Sequence, residues 1–291
     1  MQDYIIRAVA KDEPVRITAV TTTGVVEEAH KRHKTSPVAA AALGRTLTAA
    51  LMLATEIKGK DILTIRIMGD GPLGAIVASA DGKGTVRGYV QNPEFDLPPN
   101  ERGKLPVGAA VGKGTLHVSK DLGLKYPFSG SCELVSGEIS EDITYYLYKS
   151  EQIPSAVSLG VLVGRDRHIR SAGGVMVQIL GDVDEVTEKR LVKQFENLEA
   201  VSSLVDRGYR PEDLIKEMDF DFEILADYPV AFQCRCNKER VEKALISLGV
   251  REVEDILAKE GQAEASCHFC GEKYIFDQGE LERLLEEMKN T

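Results

Sequence analysis

Apolar and polar positions alternate in three different ways along this chain. Near the N-terminus, DYIIRAVA and VRITAV are rich in β-branched residues and bounded by Asp, Glu and Pro, which predicts two strands. GVVEEAHKRH predicts a helix with its charges on one side. Ser36 and Pro37 predict the N-cap and first position of a second helix, running to about Ile57. Its small side chains suit close packing against a sheet. In DILTIRIMGDGPLGAIVASADGKGTVRGYVQN, the turns GDGPLG and ADGKG separate three strand-like runs, an antiparallel meander. A similar rhythm returns in GTLHVSKDLGLKYPFSGSCELVSGEI. ISEDITYYLYKSEQ predicts a helix capped by Ser140, and AVSLGVLVGRD and IRSAGGVMVQIL predict two more strands. The expectation is an α+β fold: a mixed α/β N-terminal core domain over 1–180, with antiparallel sheet and packed helices.

The period changes near Gly181. DVDEVTEKRLVKQFENLEAVSSLVDRGYRPEDLIKEM is charged and helix-periodic. Leu191, Phe195, Leu198, Val201 or Ser202, and Val205 fall on one face, and Gly208 and Pro211 precede a short helix. This stretch has an apolar stripe but little core of its own, so it must lie on something, most simply the sheet of the first domain. It is expected to be a helical linker over 181–231. A small C-terminal domain over 232–291 then holds four of the five cysteines.

Composition narrows the function classes. Apolar residues at 43% support a sizeable core and exclude global disorder. A formal net charge of -10 disfavours nucleic-acid partners, and the absence of Trp removes stacking platforms. The N-terminal MQDYIIRAVAKDEPVRI lacks the basic and long apolar regions of a secretory signal. The longest apolar run, from Pro37, is Ala-rich and broken by Arg45, which predicts a buried helix and no membrane association. A reducing cytoplasm follows as the expected location, where structural disulfides are rare.

The cysteines carry the chemistry. Cys234-x-Cys236 and Cys267-x-x-Cys270 are two close pairs separated by thirty residues of helical periodicity. Two such pairs can converge on one tetrahedral ion, and four thiolates suit Zn²⁺, one per chain. The tight C-x-C departs from ordinary zinc ribbons. The tail is also near the size at which a core alone is marginal, so zinc would supply much of its folding energy. Zinc thiolates remain oxidisable, and pairing them would expel the ion. A constitutive zinc ribbon that contacts nucleic acid or a protein partner and a reversible redox switch both remain open at this point. Cys132, in SGSCELV, reads as a lone buried thiol.

Other candidates fall away. GAAVGKGT has the wrong spacing for a phosphate loop, and Gly114 stands where Ser or Thr should follow Lys113, so no nucleotide site is expected. His30 and His33 read as a solvated charged face rather than a metal pair. His268 could compete as a ligand, but four cysteines already complete a tetrahedron. No Ser/His/Asp or paired-carboxylate arrangement points to an enzyme.

Five stretches resemble the family of the bacterial redox-regulated heat-shock chaperone of thirty-three kilodaltons, over nearly the whole length. They are GPLGAIVASADGKGTVRGYV, YLYKSEQIPSAVSLGVLV, AGGVMVQIL, FQCRCNKERVEKALISLG and CHFCGEKYIFD. The two cysteine pairs at their spacing are the most specific. His268 stands where the family often has an acidic residue. The resemblance implies an α/β core, a helical linker folded over it and a C-terminal zinc switch. It implies that Cys234, Cys236, Cys267 and Cys270 bind zinc in a reduced, inactive state. It implies Cys234–Cys236 and Cys267–Cys270 disulfides on oxidation, with zinc release. The active form it implies is a homodimer that holds unfolding client proteins without ATP.

Overall fold

Ile5 and Ile6 are chain neighbours and both fully buried, yet they belong to two different apolar cores. Their strand, β1 (Tyr4–Ala10), therefore has protein on both faces. The same parity holds along β2 (Val15–Thr21) and β9 (Ile169–Ile179). Val20 and Met176 point into one core, and Ile17, Val175 and Val177 into the other. With β8 (Ser155–Val163) and β10 (Phe222–Pro229), these strands make a five-stranded antiparallel sheet in the order β10-β1-β2-β9-β8. Burial on both faces explains why its strands read as near-continuous apolar runs. This structure is a computed structural model that describes residues 2–101 and 103–289.

The first core lies between that sheet and a second one. It is filled by α1 (Thr23–His33) and α2 (Pro37–Ala54). The Ser36 side chain accepts a hydrogen bond from the Ala39 N–H at 3.2 Å, so the predicted cap is present. The helix ends at Ala54 and gives way to a turn before Ile57, slightly short of expectation. Every residue of α2 except Pro37 and Arg45 is buried, and the helix touches strands of both sheets. Its small residues make this possible: a Cβ on Gly44 would stand 2.7 Å from Val26 and 2.9 Å from Val161. The helix is long and apolar enough to cross a membrane, but 89% of it is buried inside the protein, as a core helix should be.

The second sheet contains β3 (Ile62–Gly69), β4 (Ala75–Asp81), β5 (Thr85–Val90), β6 (Gly114–Asp121), β7 (Phe128–Glu133) and the short β11 (Ala231–Phe232). Their order is β11-β5-β4-β3-β6-β7. Strands β3, β4 and β5 form the expected antiparallel meander. Among the described strands of this sheet, only β11 is parallel to its neighbour. A short helix, α3 (Val107–Val111), precedes β6. The next helix, α4 (Ser140–Tyr146), continues into one π-helical turn at Leu147–Glu151. Ser140 is the first helical residue rather than the cap, and its hydroxyl accepts from the Leu159 N–H instead. Asp142 does the capping: its fully buried carboxylate accepts from the N–H groups of Val135, Ser136, Gly137 and Ile139.

On the outer face of the five-stranded sheet lie α5 (Glu185–Asn197), α6 (Val201–Asp206) and α7 (Pro211–Lys216). The stripe read as one face is broken between α5 and α6, where Leu198 is extended at φ -62° and ψ 122°. The break lets the chain follow the twisted sheet. Leu191, Val201, Leu204, Leu214 and Ile215 are buried there against Ile6, Ala8, Ile17, Ala19, Val175 and Val177. Phe195, Leu198 and Val205 pack at the margin. Strand β10, which no periodicity in the charged segment announces, adds to the edge at β1.

The chain divides into two compact units, residues 1–233 and 234–291. The second contains α8 (Lys238–Ile246), α9 (Val250–Glu260), the hairpin β12 (Ala263–Ser266) and β13 (Lys273–Phe276), and α10 (Gln278–Lys289). The insert between the cysteine pairs is thus helical, as its periodicity predicts. Its core is small: Leu245, Val253, Ala263, Phe276, Leu281, Leu284 and Leu285.

Candidate metal centre

Cys234 and Cys236 lie on an extended segment that ends at Asn237, whose side chain accepts from the Arg240 N–H and caps α8. Alternation along that segment leaves both sulfurs on one side, with Arg235 exposed between them. Cys267 and Cys270 occupy the turn between β12 and β13. The Cys267 N–H donates to the Glu272 carbonyl at 2.9 Å, and the Gly271 N–H donates to the Cys267 carbonyl at 2.8 Å. Gly271 sits at φ +70°, a left-handed conformation that glycine adopts without strain. The turn wraps its amides and side chains around one point.

The two pairs meet there. All four sulfurs lie within 4.8 Å of one another, with Cys234 and Cys267 at 3.8 Å and Cys236 and Cys270 at 3.4 Å. A zinc–sulfur bond of about 2.3 Å gives a tetrahedral edge of about 3.8 Å, so this donor set fits the ion by size as well as softness. Cys270 is buried and the other three are half-buried. Burial pushes the Cys270 and Cys267 thiols up, so thiolates here need a compensating cation. All five cysteines are free of disulfides. The Tyr274 hydroxyl donates to the Cys236 sulfur at 3.1 Å. That bond, more than burial, pushes the phenol's pKa up and keeps it a donor. Tyr274 was not singled out by sequence reasoning. Alternation on β13 puts it on the same face as the buried Phe276, so its pattern reads as one more core aromatic and gives no signal for the hydroxyl's partner.

The remaining sequence candidates are elsewhere. His268 is exposed and outside the four-residue group. Cys132 sits on β7 in the first unit, and burial, then the Asp142 charge, pushes its thiol up to about 11. His30 is half-buried rather than solvated, with its Nδ1 at 2.8 Å from the Thr35 hydroxyl, and burial pushes its pKa down. The ring of His33 packs edge-on against Phe232 at 6.4 Å. In the glycine loop, the Lys113 N–H donates to the Asp70 carboxylate at 2.7 Å, which places negative charge where a phosphate would need amides.

An α+β domain with a helical cover, joined to a small unit built on four clustered cysteines, defines the class. The family model described as Hsp33 protein matches residues 3–277. The chain is 52% identical over 291 residues to the 33 kDa chaperonin of Desulforamulus reducens, covering 99% of each. It is 49% identical over 287 residues to that of Bacillus subtilis, covering 98% of this chain and 99% of the relative. The crystal structure of the 33 kDa chaperonin from Thermotoga maritima superposes with a TM-score of 0.94 at 38% identity, over the full length of both chains. The chain belongs to the Hsp33 family. It is a heat-shock chaperone and not an enzyme.

Proposed function

We propose that this chaperone is a redox-controlled, ATP-independent holdase of the cytoplasm. The observation that supports this best is the meeting of four cysteines at one point in a unit whose own core is small. Cys234, Cys236, Cys267 and Cys270 hold one zinc in the reduced state. Bound there, the ion neutralises thiolate charge and clips the unit together, a contribution on the order of 10–16 kcal/mol in such modules. In oxidation, Cys234 pairs with Cys236 and Cys267 with Cys270. For each pair, two thiols lose two electrons and two protons, one S–S bond forms, and one hydrogen peroxide is reduced to two waters. No thiolates then remain to hold the ion, and the unit loses its fold.

Activity follows from what becomes uncovered. The helices α5–α7 cover one face of the five-stranded sheet with an apolar stripe of their own. The cover is already incomplete: a groove of about 930 Å³ runs between α5 and β8–β9, lined by Tyr145, Val157, Val177, Leu191 and Phe195 among others. Lifting α5–α7 exposes two apolar faces, which is what the capture of unfolding clients needs. The active form is a homodimer, and nucleic acid, membrane and nucleotide play no part. Zinc content and free thiols measured before and after peroxide at elevated temperature, beside light scattering from an aggregating client, test the reading. Zinc loss with suppressed aggregation is expected. Oxidised, zinc-free protein that leaves aggregation unchanged would refute it.

A further inference from the structure

Tyr274 stands on β13, paired with Ala265 on β12, just beyond the turn that carries Cys267 and Cys270. The four-residue ladder from Ala263↔Phe276 to Ser266↔Lys273 fixes its backbone. Its ring packs beside the small core, while its hydroxyl reaches Cys236, thirty-eight positions away, at 3.1 Å. This is a side-chain donor from one half of the unit fastened to a sulfur from the other half. A thiolate that accepts such a bond is held in place, and the lone pair engaged by the O–H is less available to an electrophile.

We propose that Tyr274 is a positioning residue for the metal centre, one that holds the Cys236 thiolate and retards its reaction with oxidants. The slowed oxidation of Cys236 rests on the redox reading above, whereas the hold on Cys236 does not require it.

The test compares the full chain, zinc-loaded and reduced, with its Tyr274→Phe variant, which keeps the ring and loses only the hydroxyl. Iodoacetamide labelling is read cysteine by cysteine by mass spectrometry, and zinc affinity by competition with a chromogenic chelator. A brief peroxide exposure with dimedone traps sulfenic acid. The labelling rate of Cys236 relative to the other three ligands is expected to rise at least about tenfold in the variant, the size of one lost hydrogen bond to an ionised group. Zinc affinity is expected to fall about tenfold, as for other partners of metal ligands. Dimedone on Cys236 is expected to be higher in the variant than in the parent. An unchanged relative rate at Cys236 overturns the proposal. So does a common rise at all four cysteines, which would show only a loosened fold. Parent protein that keeps its zinc in peroxide refutes the redox reading instead, and the iodoacetamide ratio still decides this one.

Discussion

Gly160→Ala should lift the helical cover without touching a cysteine. Gly160 on β8 pairs with Gly173 on β9, and the two glycines make a flat seat for α6. A Cβ on Gly160 would stand 2.5 Å from the Ser202 amide nitrogen and 2.8 Å from its Cβ. The amide belongs to a helix, so the whole of α6 must move. Overpacking of this kind costs about 1–3 kcal/mol. The same movement breaks the bond from the buried Ser171 hydroxyl to the Ser202 carbonyl, 2.7 Å long and part-buried, for about 1 kcal/mol more. Against this, alanine gains about 0.5–1 kcal/mol over glycine in a strand. The clash wins, by about 1–3.5 kcal/mol, and the lifted population rises about five- to three-hundredfold at 1.4 kcal/mol per decade. Apolar-dye fluorescence and limited proteolysis within residues 181–218 read that population in reduced, zinc-loaded protein. Both should increase, with partial suppression of client aggregation. A variant that matches the parent in dye binding, cleavage rate and melting temperature would refute the close seating of α6 and the cover it implies.

Three further outcomes are expected. Cys234→Ser should lower zinc stoichiometry under reducing conditions, make residues 234–291 protease-sensitive and give partial constitutive client binding; full zinc with unchanged resistance would contradict this. Cys132→Ser should leave zinc release and activation by peroxide as in the parent, because its thiol is pushed up to about 11 and stays protonated at neutral pH; a loss of activation would assign it a role. Burial opposes ionisation of Glu27, but hydrogen bonds from the Ile169 N–H, His168 and Lys31 outweigh it and bring its pKa from 4.5 down to about 2. The stabilisation is therefore full above about pH 4.5 and is lost toward pH 2, so the denaturation midpoints of Glu27→Gln and the parent should differ at pH 6 and converge as the pH falls below about 4.5.

Much of the fold is written locally. Ser36-Pro37 marks the start of α2, and the glycine turns mark β3–β5, because caps and turns depend on a few adjacent residues. The cysteine spacing likewise shows which sulfurs can meet, since two close pairs leave one simple way to close a tetrahedron. What escaped was decided by distant partners. Strand β10 has the burial pattern of an exposed edge and gains its identity only from β1. Ser140 has a capping side chain, but Asp142 outcompetes it with two acceptor oxygens, and Leu159 claims the hydroxyl. The break at Leu198 is invisible to periodicity because the residues on either side keep the right spacing. Tyr274 looks like one more core aromatic until the hairpin register aims its hydroxyl at Cys236.

On the redox reading proposed above, the asymmetry between the two units lets one chemical event switch the protein without destroying it. The 1–233 unit has two extensive apolar cores, and α2 alone buries sixteen residues between its sheets. Among its described residues there is no second metal-binding cluster and no disulfide, so on that reading it keeps its sheet as a platform after oxidation. Among its described residues, the 234–291 unit has a core cluster of seven buried apolar side chains and one cysteine cluster. At roughly sixty residues such a core sits near the limit of independent stability. On that reading, loss of thiolate coordination on the order of 10 kcal/mol is decisive there and irrelevant to the larger unit. A larger C-terminal core would keep its fold after oxidation and hold the switch closed. Filling that core, for example by Ala263→Val where the hairpin can accommodate it, should therefore delay activation at a given peroxide dose without changing the rate of thiol loss. If activation instead tracks thiol loss in both proteins, unfolding of the small unit is not the step that turns the chaperone on.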